Sequence, residues 1–136
     1  MGEEVRVTVI ATGFEEVLDG WGLKLRSDLV LDQLMHSYVG DATTVLSGSF
    51  GYHEITDDLR VPLVFPTVRS IVVAKPSPEG VTLFELAHSG EQAWGETKAE
   101  SEAVSYDPDE DEPGPLTLVA LVELHGEGDG QGKVLL

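Results

Sequence analysis

The segment that most constrains the fold is Leu116–Leu124, which is apolar on both faces of an extended chain. A strand of this kind must be covered on both faces, so the pattern predicts a central strand. The chain has 136 residues, which fits one domain over 1–136. Its apolar fraction of 41% is enough to build a core around that strand.

Most other periodic segments also favour strands. Val81–His88 alternates between its two faces, and Val68–Ala74 and Val45–Phe50 are extended in pattern. Leu59–Pro66 contains two prolines, so it fits an edge or irregular strand. Leu29–Asp32 fits either a short strand or the start of a helix. Because strand-like segments outnumber helical ones along the chain, the sequence predicts a strand-rich α/β domain.

A strand followed by a helix is predicted at the amino terminus. Val5–Ile10 places its valines on one face, as strands do. Thr12 and Glu15 have the spacing of a capping box, in which each side chain accepts a backbone N–H at a helix start. The apolar residues that follow have the spacing of one helical stripe, and two glycines end it: Phe14, Val17, Leu18, Trp21, then Gly20 and Gly22.

Charge and composition exclude several functions. The 8 basic and 25 acidic residues give a net charge of −17, which opposes binding to nucleic acid and to anionic membrane surfaces. No apolar stretch is long enough to insert into a bilayer, and the first residues lack the pattern of a signal peptide. The chain has 0 cysteines, so disulfides, thiolate nucleophiles and cysteine-ligated zinc are excluded.

The acidic segment 107–112 has the beginning of a calcium-binding pattern. Asp107, Asp109 and Asp111 match the first three ligand positions of an EF-hand loop. Glu112 stands where the loop needs glycine, and Leu118 stands where it needs a bidentate glutamate. A solvated acidic loop is therefore the main interpretation, with a weak cation site as the alternative.

Other chemical motifs are incomplete. Ser49 lies in a sequence similar to a nucleophile elbow, but Ser47 replaces the first glycine of that motif. The four histidines form no metal-binding spacing, and the glycine run at 126–132 fits no nucleotide-binding pattern. Trp94 is either a buried residue beneath a long loop or a surface anchor for a partner. The residues predict no cofactor.

Four motifs in order resemble a known family. They are GYHEIT within Leu46–Ile71, then VFPTVRSI, then WGET, then YDPDEDEPGPLTLVALVE within Ala93–Glu123, and GLKL…DLVLD upstream agrees with them. Together they are similar to the extracytoplasmic domain of GldG-like auxiliary proteins of ABC transporters, of the gliding-motility type. The likeness covers about residues 16–124.

The resemblance implies a flavodoxin-like or glutamine-amidotransferase-like mixed sheet without enzymatic activity. It implies a binding or scaffold domain on the extracytoplasmic face of the membrane, anchored by helices outside this segment and associated with an ABC permease and ATPase. In such folds ligands meet loops at the carboxyl ends of strands. We therefore expect partner contacts after Ile10 and within 88–96: Thr12, His88, Trp94 and Glu96.

Two further interpretations remain at this point. VRVTVIATGF, over about ten residues, also resembles the last sheet strand of the bacterial tubulin-like division protein FtsZ, whose nucleotide loop has no counterpart here. A strand that begins at Lys133 and ends with the sequence indicates an incomplete domain excised from a longer protein. Besides a scaffold, an acidic cation-responsive module or a hydrolase or amidotransferase-like enzyme stays open, the last disfavoured by the absence of cysteine.

Overall fold

The computed structural model describes residues 11–98, 105–126 and 131–136. The predicted strand Val5–Ile10 and residues 127–130 of the glycine run lie outside the described residues. The helices are α1 (Glu15–Gly20) and α2 (Gln33–Val39). The strands are β1 (Leu23–Leu25), β2 (Leu29–Asp32), β3 (Thr44–Ser47), β4 (Ser49–Phe50), β5 (Leu63–Pro66), β6 (Ile71–Val73), β7 (Val81–His88), β8 (Ala93–Glu96), β9 (Glu112–Pro113), β10 (Thr117–His125) and β11 (Gln131–Leu135).

The main sheet is built around β10, which confirms the central strand predicted from its apolar pattern. One edge of β10 pairs with β7, with Thr117 opposite His88 and Leu124 opposite Val81. The other edge is shared by β6, which meets it at Thr117, and by β11, which meets it from Leu121 onward. β1 extends the sheet beyond β6, and β4 extends it beyond β7.

Two smaller sheets pack around the start of β10. One has the order β2-β8-β9, and the other pairs β3 with β5. One apolar cluster joins α1 to the main sheet: Leu18, Leu23, Ile71, Ala120 and Val122. A second cluster joins the small sheets to β10: Val30, Val45, Ala93, Leu116 and Leu118.

The predicted capping box of Thr12 and Glu15 forms only in part: Phe14, and not Thr12, is the N-cap residue of α1, and the Thr12 hydroxyl accepts the N–H of Phe14 at 3.3 Å. The Glu15 carboxylate accepts the N–H of Thr12 at 2.9 Å and that of Gly13 at 2.8 Å. Both bonds hold the pKa of Glu15 below its usual value. The helix ends at Gly20. Of its predicted apolar residues, Leu18 is buried in the core, whereas Phe14 remains 67% exposed. Six residues are too few to bury a stripe that spans two turns.

Asp32 decides between the two interpretations of Leu29–Asp32. Its carboxylate accepts the N–H groups of Leu34 at 2.9 Å and Met35 at 3.3 Å, which caps α2. The same side chain accepts the N–H of Leu46 on β3 at 3.1 Å. The segment is therefore a strand that ends where a capped helix begins.

The predicted strand-rich fold with few helices is confirmed. The finer flavodoxin-like arrangement is not confirmed, because every strand pairing within the described residues is antiparallel. A flavodoxin-like sheet consists mostly of parallel strands joined by crossover helices. In the described residues the consecutive strands β8 and β9, and likewise β10 and β11, are antiparallel neighbours.

A buried carboxylate joins the main sheet to a small sheet, and its removal should be costly. Asp28 is 1% exposed and accepts the backbone N–H of Ser70 at 2.9 Å and the Ser70 hydroxyl at 2.5 Å. Replacing Asp28 with alanine leaves both donors buried without an acceptor, so the free energy of unfolding should fall by about 2 kcal/mol. Urea denaturation measures this change. Replacement of exposed Asp19 with alanine is the control, and an equal loss in both variants would contradict the assignment.

Candidate functional site

The candidate site is the connection between β4 and β5, residues 51–62, which we call the 51–62 loop. It starts against β7, where the N–H of Gly51 donates to the carbonyl oxygen of Leu86 at 3.0 Å. A Cβ atom at position 51 would lie 1.8 Å from the carbonyl oxygen of Glu85. Glycine is therefore required for the loop to leave the sheet this closely.

Thr56 closes the first turn of the loop from within. Its hydroxyl donates to the carbonyl oxygen of Gly51 at 2.5 Å and lies 3.0 Å from that of His53. Its backbone N–H donates to the same His53 carbonyl oxygen at 2.9 Å. Thr56 is itself buried, so these bonds are sheltered from water and fix the conformation of residues 51–56.

His53 attaches the loop to the face of the main sheet opposite α1. Its side chain is 9% exposed, and its ring packs edge-on against Phe84 with centroids 4.7 Å apart. Nδ1 accepts the N–H of Ile55 at 3.1 Å, and Nε2 lies 3.9 Å from Oε1 of Glu123 on β10. One imidazole thus serves both the inner turn of the loop and its contact with the sheet.

The residues between these anchors point outward. Tyr52 is 95% exposed and Ile55 is 49% exposed, and Val61 is also exposed near the end of the loop. Isolated exposed apolar side chains are common, but here the partly buried hydrogen bonds of Thr56 hold the backbone that carries Tyr52 and Ile55. A fixed loop loses little conformational entropy when a partner covers it, and tyrosine is among the side chains that contribute most to interfaces.

The exposed charges of the loop are predominantly acidic. Glu54, Asp57 and Asp58 are exposed around the apolar side chains. Arg60 turns back onto the loop, where it donates to the carbonyl oxygens of Asp57 at 2.5 Å and Leu59 at 3.2 Å. The surface that the loop presents is therefore apolar and negatively charged, which complements a basic segment that also carries apolar side chains.

The partner-contact residues predicted from sequence do not form one site. Thr12 is exposed beside α1, and His88 is half-buried at the end of β7, opposite Ser49 in the β4–β7 pairing. Trp94 is 3% exposed, so it occupies the buried alternative and is not a surface anchor. Its Nε1 donates to Glu96 at 3.4 Å. Thr12, His88 and Glu96 stay predictions as partner contacts.

The acidic segment folds into a turn whose carboxylates serve the backbone. Oδ2 of Asp111 accepts the N–H of Asp107 at 2.8 Å, and Oδ1 of Asp107 accepts the N–H of Asp109 at 3.0 Å. Lys98 pairs with Glu110 beside them. Across residues 11–98, 105–126 and 131–136, no group of three or more histidines and carboxylates is placed to hold a metal ion. Asp107, Asp109 and Asp111 are brought together, but as a turn.

The elbow-like sequence has the environment of a structural turn. Ser47 is fully buried and donates to the carbonyl oxygen of Ser49 at 3.5 Å. Ser49 lies beside His88 in the pairing of β4 with β7, yet in the described part of the chain its hydroxyl makes no hydrogen bond to a histidine. The arrangement lacks the base contact that an activated serine requires.

Comparison of the chain with protein-family models, with curated proteins and with solved structures finds no match. In the described residues, neither helix has the length and apolar character needed to cross a membrane. The GldG-like assignment stays a prediction from the quoted motifs, one of which, GYHEIT, is the first half of the 51–62 loop.

Proposed function

We propose that this chain is a non-enzymatic binding or scaffold domain of a GldG-like ABC-transporter auxiliary protein, and that it contacts its partner through the 51–62 loop. The partner in this proposal is the ABC permease with its ATPase, met at the extracytoplasmic face of the membrane. The ordered family motifs support the transporter assignment. The geometry of the loop supports the binding surface.

One observation carries the proposal: a hydrogen-bonded, sheet-attached loop leaves Tyr52 95% exposed. Tyr52 lies in the loop with two other exposed apolar side chains, Ile55 and Val61, and burial of its ring against a partner would remove apolar area from water. A partner that covers Tyr52 and Ile55 would gain that apolar burial without first ordering the loop.

The expected partner segment is basic and contains apolar side chains. Glu54, Asp57 and Asp58 surround the exposed apolar residues, and the whole chain carries a net charge of −17. Charge complementarity speeds association and excludes acidic competitors, while the apolar contacts supply most of the affinity. A cationic loop or helix end of the permease on the extracytoplasmic side fits this description.

The flavodoxin-like or glutamine-amidotransferase-like sheet belongs to the same proposal for the parent protein. The described pairings are antiparallel, so parallel pairings of that kind would have to involve chain outside the described residues. A cysteine-dependent amidotransferase is excluded by composition, since the chain contains 0 cysteines.

The test is co-purification of the parent protein, from membranes, with the permease and ATPase of the proposed transporter. We expect a complex at about 0.05 M salt that weakens at about 0.5 M salt, because screening shortens the range of the charge attraction. Removal of this domain with the membrane anchors left intact should abolish the complex. A complex that survives that removal, or no complex at either salt concentration, would contradict the proposal.

A further inference from the structure

Helix α2 exposes the apolar stripe that a surface helix normally buries. Four apolar side chains share one face of the helix, in two pairs that are each one turn apart: Leu34 with Tyr38, and Met35 with Val39. Leu34 is 40% exposed, Tyr38 79% and Val39 62%, and no residue of the helix is buried. The fold therefore leaves this stripe, which we call the α2 face, largely open to solvent.

Both ends of α2 are fixed, so the α2 face is presented on an ordered backbone. At the start, the Asp32 carboxylate accepts the N–H groups of Leu34 and Met35. At the end, Gly40 has a φ of 76°, and its N–H donates to the carbonyl oxygen of His36 at 2.9 Å. A partner could cover the α2 face without first ordering the helix.

The α2 face is uncharged in a strongly acidic chain. Residues 33–40 contain no aspartate, glutamate, lysine or arginine, although the chain has 25 acidic residues. Asp32 before the helix is buried beneath its first turn. Asp41 after the helix is bound by its own neighbours, because its carboxylate accepts the N–H of Thr43 at 2.9 Å and the hydroxyl of Thr44 at 2.8 Å. The surface that matches the α2 face is therefore apolar and uncharged.

We propose that the α2 face is the contact surface of a weak dimer of this chain. A second copy carries the same net charge of −17, so it is repelled wherever two acidic surfaces would meet. The 51–62 loop is such a surface, since Glu54, Asp57 and Asp58 are exposed on it. The α2 face lets two copies bury apolar side chains without bringing carboxylates together at its centre.

A two-fold axis across the middle of α2 makes this contact self-complementary. With the helices antiparallel, Leu34 of one copy meets Val39 of the partner subunit, and Met35 meets the partner's Tyr38, a favourable contact of sulfur with an aromatic ring. One short helix per copy buries less than the roughly 1,600 Å² of a standard interface, so we expect a dissociation constant of about 0.5 mM. Membrane anchoring of the parent protein, which rests on the function proposed above, would supply effective concentrations of that order.

Translational diffusion of the isolated chain, measured by NMR, tests the dimer directly. Between about 0.05 and about 2 mM chain, at about pH 8 where histidines are neutral, the diffusion coefficient should fall towards that of a dimer. The amide signals that shift with concentration should be those of residues 33–40. A chain that stays monomeric at about 2 mM, or shifts that are confined to other residues, would overturn the proposal.

A matched pair of variants locates the contact on α2. Val39→Glu should weaken the dimer at least about tenfold, because a carboxylate then lies against apolar side chains of the other copy. Val64→Glu is the control: Val64 lies on β5 and is 56% exposed, and its replacement adds the same charge at a different surface. The control should leave the dissociation constant within about twofold. Equal weakening in both variants would indicate general charge repulsion and overturn the proposal.

Salt separates this contact from the permease complex. Exposed carboxylates lie near both ends of α2, because the N–H of Gln33 donates to Gln92, which follows Glu91, and Asp41 follows Gly40. Screening of their repulsion between about 0.1 and about 1 M salt should tighten the dimer about fivefold, whereas the permease complex should weaken. A dimer that weakens with salt would contradict the proposal. The chain alone is measured, so failure to bind a permease would leave these results unchanged.

Discussion

Replacement of Gly51 with alanine is expected to lower the free energy of unfolding by about 3 kcal/mol or more, because the added methyl group would overlap backbone atoms of β7. The new Cβ would lie 1.8 Å from the carbonyl oxygen of Glu85 and 3.0 Å from its carbonyl carbon. Both are backbone atoms within β7, which cannot rotate away as a side chain can. The loop must therefore shift and lose the bond from Gly51 to Leu86.

Urea denaturation of Gly51→Ala beside Gly48→Ala measures this effect. Gly48 lies between β3 and β4, and a Cβ atom there would meet no atom within 4 Å. The control should change the free energy of unfolding by no more than about 0.5 kcal/mol. Equal losses in the two variants would show that the 51–62 loop does not approach β7 as described.

The second large effect concerns affinity. Replacement of Tyr52 with alanine should weaken binding to the purified permease–ATPase complex about thirtyfold, or about 2 kcal/mol, as truncation of a tyrosine at the centre of an interface does. The ring is 95% exposed, so its loss should change the free energy of unfolding by no more than about 0.5 kcal/mol. Biolayer interferometry with the parent protein immobilised measures the dissociation constant.

Tyr38→Ala is the matched control for this prediction. Tyr38 lies on α2 and is 79% exposed, so it has the same chemistry and a similar exposure at a different surface. Its replacement should leave the dissociation constant within about twofold, since side chains outside an interface contribute little to it. A thirtyfold loss in Tyr38→Ala, with none in Tyr52→Ala, would move the binding surface to α2.

Local patterns in the sequence predict the strands well where burial has a simple period. Val81–His88 has the bounds that its alternation predicts, and Leu116–Leu124 differs from β10 by one residue at each end. Leu59–Pro66 lies on an edge, as its prolines predict, because β5 pairs with β3 alone in its sheet within the described residues. In each of these three segments, the pattern of residues within the strand is enough to predict its position in the chain or in the sheet.

Other features depend on partners distant in sequence, and local patterns cannot predict them. The anchor of Gly51 is on β7, and the anchor of His53 is on β10, seventy residues away in the Glu123 contact. Tyr52 is exposed because those two contacts hold its neighbours inward. Gly51 and Thr56 bracket a turn in the GYHEIT motif, and that spacing is the signal from which an ordered loop could have been inferred.

The burial of Trp94 also depends on residues distant in sequence. Its acidic surroundings in sequence are compatible with a surface anchor, yet it packs with Leu29, Leu31 and Ala42 of other elements. The β2–β8 pairing places Trp94 opposite Leu31, which buries the indole against a strand that sequence periodicity alone left ambiguous.

Site-specific photo-crosslinking in the parent membrane tests the central claim most directly. Tyr52 is replaced by the photo-reactive amino acid p-benzoylphenylalanine, and the same replacement at Tyr38 serves as the reference, because both side chains are exposed. A permease subunit joined covalently to position 52, and not to position 38, is the predicted result. Crosslinking at position 38 with none at position 52 would contradict the assignment of the 51–62 loop as the binding surface.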